Sequence, residues 1–267
     1  MSAFLHMLNR TVMVYAITAW SAVTVFGQVA PSGEVWENSL GMKFRSVPGF
    51  DVRMSIWETR VRDFERFVNA TGHDATNRFF YYAETSWYVD DHFWLKPGFD
   101  QTPEHPVVGV SWRDAIAFCQ WLTSTERSSG KIPGNMIYRL PTDMEWSAAA
   151  EGTPNPFSLT NVANYHPNLN SDTYQVTSPV GTFPANPHGF FDMAGNIWEF
   201  CRDQAREHLP YRVIRGGCWQ NWHERYVGVQ ARGQCSMDVR ITLYGFRVVL
   251  VTGDEHGHDE GGVTPAE

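Results

Sequence analysis

Four cysteines and a run of glycine-framed charges are the residues of this chain that could do chemistry. The thiols are Cys119, Cys201, Cys218 and Cys235. Cys218 lies in Gly216-Gly217-Cys218-Trp219, within RVIRGGCW at 212–219. A thiol there could exchange with a disulfide or hold a soft metal, provided that it ionises. On either side lie HGFFDMAGNIWEF at 188–200 and GFRVV at 245–249, which carry Asp192, Glu199 and Arg247. None of the three segments has a helical or strand period. Glycine orders expensively and a buried arginine or glutamate must find a partner, so such a pattern costs stability unless it builds something specific.

The elements that must position these residues are short. ENSLGMKFRSVPGFDVRMSIWETRV reads as strands broken by Gly and Pro. Residues 59–71 read as a helix, with Val61, Phe64, Phe67 and Val68 on one face and Gly72 as its stop. Residues 72–104 are aromatic and polar without period and are expected to be a long loop, followed by a short strand at 106–110. Ser111 with Asp114 opens a helix to about Ser128 that buries Ala115, Phe118, Cys119 and Leu122. Thr142 with Glu145 is a capping box for a shorter helix ending near Gly152. Turn residues fill 154–192, and short strands with Gly turns fill the last third. The expectation is one compact α+β domain with little regular secondary structure.

Composition sets the outer limits. With 267 residues and 43% hydrophobic residues the chain can bury a substantial core. A formal net charge of −8 argues against a nucleic-acid partner. The eleven tryptophans fit a sugar-binding surface, or amphipathic core positions in a fold short of helices, and the core reading is favoured. Residues 1–27 read as a signal peptide, with an uncleaved N-terminal anchor as the alternative: Arg10 precedes the apolar run from Val12 to Phe26, which is short for a membrane span. The domain is therefore expected over 28–252, exported to the periplasm, the cell surface or the medium, with a disordered acidic tail at 253–267. Export allows disulfides, with Cys218–Cys235 or Cys201–Cys218 as structural pairings, or buried free thiols in their place. Zinc-ligand spacing is missing.

ENSLGM, IWETRVRDFERF, HPVVGVSWRDAIAFCQWL, YRLPTDMEWSAAA, DMAGNIWEF, RVIRGGCW and GFRVV follow one another in this order. Together they resemble the formylglycine-generating enzyme family, the sulfatase-modifying factor domain, over roughly residues 36–250. The resemblance implies a compact variant of the C-type lectin fold. It also implies oxidation of a sulfatase cysteine to formylglycine by oxygen and a copper(I) ion held between two thiolates. The family places those thiols three residues beyond the third residue of the Gly-Gly turn and five residues further on. Here the two positions hold Asn221 and Tyr226. Neither supplies sulfur, so copper is not expected, and the chain resembles members that lack the catalytic cysteine pair.

The resemblance implies two calcium sites. One would use Asn164, Tyr165, Asp172 and Tyr174; the other Asp192, Gly195, Ile197 and Glu199. Mixed carboxylate, amide and carbonyl oxygens suit that ion, and metal-free Asx-turns are the alternative. The functional expectation is a binding or accessory module, for a sulfatase-like polypeptide or a glycan, with Trp219 and Trp222 lining its pocket. The alternative is an oxidase with a non-standard site around Cys218.

Overall fold

In the computed structural model the described residues are 34–76, 79–83, 86–90, 93–157, 161–169 and 172–253. Residues 1–33, which include the expected signal peptide at 1–27, and the expected tail beyond Gly253 lie outside the described residues.

Three helices form where local signals place them. Helix α1 spans Val61–Thr71 and buries Val61, Phe64 and Phe67. Gly72 stops it at φ 67°, its N–H donating to the Val68 carbonyl at 2.8 Å. The start of α1 holds a pair that spacing did not reveal. Arg60 donates from Nε and Nη2 to the two Asp63 oxygens at 2.8 and 3.0 Å, with both side chains buried. Helix α2 spans Trp112–Ser128, with the Ser111–Asp114 capping box and the expected buried face. Helix α3 spans Asp143–Ala149, with the Thr142–Glu145 box. Glu145 is fixed further by Arg139, whose Nη1 and Nη2 donate to it at 2.7 Å each.

Asp114 does more than cap. It also meets His73 Nε2 at 2.8 Å and accepts from Arg240 Nε and Nη2 at 2.7 and 2.9 Å. Burial pushes its carboxyl up, but these donors outweigh burial and hold it at about 2, below the ordinary 3.8. A depressed folded-state value stabilises the fold above the unfolded-state pKa, and the benefit disappears as pH falls through the folded value. Asp114→Asn should therefore flatten the loss of unfolding free energy between about pH 4 and pH 2, a difference of about 2 kcal/mol. Urea unfolding of both forms across that window measures it.

Among the described residues there are twelve strands. They are β1 Trp36–Glu37, β2 Lys43–Ser46, β3 Val52–Ser55, β4 Phe79–Ala83, β5 Ser86–Asp90 and β6 Met136–Arg139, then β7 Trp198–Gln204, β8 Tyr211–Arg215, β9 Arg232–Ser236, β10 Arg240–Ile241, β11 Tyr244–Gly245 and β12 Val249–Thr252. A five-stranded antiparallel sheet has the order β1-β2-β3-β12-β6. β12, the last of these strands in chain order, lies between β3 and β6, with Val249 opposite both Met54 and Arg139, so the two ends of the described domain meet in one sheet. A second sheet, β11-β7-β8-β9, carries the glycine turn at the end of β8. The main core lies among α1, α2 and the sheets, where Phe118 packs on Phe64 and Phe246 with ring centroids at 6.2 and 5.4 Å.

Two expectations are corrected. The segment 72–104 contains the hairpin β4–β5, and β10 joins it in parallel to form a third sheet. FFYYA and SWYVD lack apolar–polar alternation, so the period-two signal is missing, although aromatic residues favour strands. Residues 106–110 form no strand. Val107 N bonds the Thr59 carbonyl at 2.9 Å and Gly109 N the Ile241 carbonyl at 3.1 Å, so two neighbours pin the segment and no ladder forms. Val107, Val108 and Val110 are fully buried there, which explains their apolar run.

Candidate functional site

The site is built on the turn that follows β8. Gly216 and Gly217 take φ of 93° and 77°, values that side-chain-bearing residues rarely adopt. The turn is held from below by Tyr165, fully buried, whose hydroxyl donates to the Gly216 carbonyl at 2.8 Å and accepts from Gly228 N at 2.7 Å. Arg215 anchors the strand end. It pairs with Asp143, donates to the Val229 and Ala231 carbonyls at 2.9 and 3.2 Å, and lies over the Trp146 ring at 4.7 Å.

Beyond the turn Asn221 is a brace. Its Oδ1 accepts from Cys218 N at 2.9 Å, and its own N–H donates back to the Cys218 carbonyl at 2.9 Å. Its carbonyl accepts from His166 N at 3.2 Å, which ties the turn to the 161–169 loop. Tyr226 is exposed and sets its ring edge-on to Trp198, with centroids 6.3 Å apart. Both residues line an open groove of about 1200 Å³. Trp222, 59% exposed, lines it too, as does Trp219, which is nearly buried and has an Nε1 with no acceptor among the described residues.

Cys218 is not in that groove. It is fully buried in the core cluster that also contains Trp198 and Cys235, and burial pushes its thiol up to about 12. Cys119, Cys201 and Cys235 are buried as well, and none of the four cysteines is in a disulfide. The disulfide readings of Cys218 with Cys235 or Cys201 are therefore corrected: these cysteines pack as small apolar residues.

The oxygen-rich loops lie beside the turn. Asp172 accepts from Tyr165 N and Tyr174 N at 3.0 and 2.6 Å, which ties its carboxylate to both positions. Asn164 is fully buried, donates to the Val176 carbonyl at 2.8 Å, and leaves its Oδ1 without a partner. That orphaned acceptor, with Asp172 in the same loop, fits a hard cation.

At the second set, Asp192 accepts from Gly181 N at 2.6 Å, and its Oδ1 is buried, with the Glu58 carboxyl as a hydrogen-bonding neighbour of the side chain. Burial pushes its carboxyl up to about 6. Glu199 is more committed. Arg247 Nε and Nη2 donate to it at 2.6 and 2.7 Å, Trp146 Nε1 at 3.0 Å, and both ionic groups have no exposure. A cation there would share Glu199 with Arg247. Glu58, also fully buried, joins this group through Asn196 Nδ2 at 3.2 Å, and burial holds its carboxyl well above the usual range. Sequence reading missed Glu58, which sits in an ordinary helix-entry segment far from the other members. Among the described residues no three His, Cys, Asp or Glu side chains cluster as metal ligands, so a cation in either place would rest largely on amide and carbonyl oxygens.

Few helices, small curled sheets and a groove over a double-glycine turn, clamped by a buried Arg–Glu pair, define a formylglycine-generating-enzyme-type fold. The chain belongs to the sulfatase-modifying factor enzyme 1-like domain family, whose sequence profile matches residues 22–251. It is 32% identical over 249 residues to the formylglycine-generating enzyme of Thermomonospora curvata, covering 70% of this chain and 77% of that one. It is 34% identical over 144 residues to the serine/threonine-protein kinase pkn1 of Chlamydia caviae, covering 48% of this chain but spanning only 21% of the kinase's length. The structure of PvdO from Pseudomonas aeruginosa matches with a TM-score of 0.65 at 20% identity, covering 82% of this chain and 98% of that one. At that identity the likeness concerns the fold.

Proposed function

We propose that this chain is an exported binding or accessory member of the family that does not carry out copper–thiol oxidation. One observation carries the reading. The two positions where the family needs thiols hold Asn221, committed to bracing the turn, and Tyr226, a ring on the groove wall. Cys218, in the glycine turn itself, is a buried thiol pushed up to about 12, which disfavours the thiolate that copper(I) and disulfide exchange both require. The groove itself is intact and presents aromatic faces.

Co-expression with a cysteine-type sulfatase tests this. The sulfatase cysteine should remain unmodified by peptide mass, with copper and oxygen supplied. Formylglycine that vanishes in Cys218→Ser would instead establish the oxidase. Export belongs to the same proposal, and N-terminal sequencing of the mature protein should begin near Gln28.

Calcium completes the reading. Asn164, Tyr165, Asp172 and Tyr174 would hold one ion, and Asp192, Gly195, Ile197 and Glu199 a second. Each would cross-link irregular loops that sheets do not tie. A chelator should lower the melting temperature by roughly 5–10 °C, since an ion binding only the native state stabilises it. An unchanged melting curve would remove both ions from the proposal.

A further inference from the structure

The groove collects cations in an acidic protein. Arg206, Arg225 and Arg232 line it, and none of its described lining side chains is acidic, although the chain's formal net charge is −8. Arg232 is paired with Asp143 at 2.8 Å, but Asp143 already serves Arg215, so one carboxylate faces two guanidinium groups. Arg206 contacts only neutral partners among the described residues: its Nε donates to Gln234 Oε1 at 2.8 Å and it lies 6.0 Å from the Tyr211 ring centroid. Arg225 lies 5.6 Å from the Tyr226 ring centroid and makes no ion pair among the described residues. The other polar lining side chains are amides, histidines and tyrosines, among them Gln220, Asn221 and Gln234.

We infer that the groove binds an anionic saccharide, with carboxylate or sulfate groups on the arginines and a sugar face against Trp222 and Tyr226. The inference rests on the binding-module reading. Three features favour this ligand class. Guanidinium forks match carboxylate and sulfate oxygens and leave no acceptor duty unfilled. Exposed flat rings offer stacking area at small conformational cost. The open groove, about 1200 Å³, exceeds the 300–1,000 Å³ usual for a single small ligand and suits several linked rings.

Calorimetric titration of the full chain with four probes tests it. The probes are a sulfated oligosaccharide, a uronic-acid oligosaccharide, a neutral oligosaccharide of equal length, and an oligoglutamate of matching charge. Expected is binding of either or both anionic sugars about tenfold or more tighter than the other two probes, weakening as salt rises. Arg206→Ala and Arg225→Ala, both at exposed positions, should each weaken it about tenfold with an unchanged circular-dichroism spectrum, and Trp222→Ala should weaken it as well. Equal or tighter binding of the neutral sugar or the oligoglutamate overturns the inference while leaving a binding module standing. No binding by any probe, or variants that bind like the parent, also overturns it. Formylglycine formation in the sulfatase assay would overturn the underlying reading separately.

Discussion

Arg247→Met is expected to cost about 3–5 kcal/mol of unfolding free energy, the range for removing one partner of a buried ion pair. The reason is the company that the guanidinium keeps. It neutralises Glu199 directly, with both side chains at 0% exposure; burial pushes its pKa down, but Glu199 first, then the buried Glu58 and Asp192, outweigh burial and raise it. It also donates to the Phe191 and Ser55 carbonyls at 3.0 and 3.3 Å. Methionine fills a similar volume but leaves Glu199 without its counter-charge, with Trp146 Nε1 still donating to it, and takes the guanidinium donor from those carbonyls. Arg247→Met with Glu199→Leu should recover part of the loss, because two apolar residues no longer strand a charge. Urea titrations of the three forms decide it. A single-variant loss below about 1 kcal/mol would mean that the pair is dispensable.

Gly217→Ala is the second large effect, and it acts on the site itself. A Cβ at that position would lie 2.3 Å from the Tyr226 carbonyl oxygen and 3.1 Å from the Tyr165 ring, with the backbone at φ 77°. Left-handed strain of about 1–2 kcal/mol adds to overpacking of about 1–3 kcal/mol. Expected is a loss of about 2–5 kcal/mol, with the 224–226 turn displaced and the groove's Tyr226 wall moved. Gly72→Ala is the control. Its φ is 67°, but nothing lies within 4 Å of the added carbon, so only the backbone strain applies. If the two alanine variants unfold at the same urea concentration, close packing under the turn is not what requires glycine at 217.

Local spacing made part of this protein legible. Ser111 with Asp114, Thr142 with Glu145, and Gly72 announced helix ends because capping is decided within four residues of the chain. The ordered motifs likewise identified the family, and Asn221 and Tyr226 already stood where its oxidases carry sulfur. Aromatic runs without alternation concealed the β4–β5 hairpin, since strand pairing is chosen by the partner as much as by the segment.

Only the tertiary structure decided what those residues can do. Cys218 reads the same in sequence whether it lines a groove or lies beneath one, and its burial as a thiol follows from the core around it. Glu58 gives no local sign of joining Asp192, Glu199 and Arg247, which lie far along the chain. The groove cations come from the segment after β7, the turn beyond β8 and the edge strand β9, brought together by long-range strand pairing. Charge and reactivity depend on dielectric surroundings and on neighbours, and those are properties of the packed fold rather than of residue order.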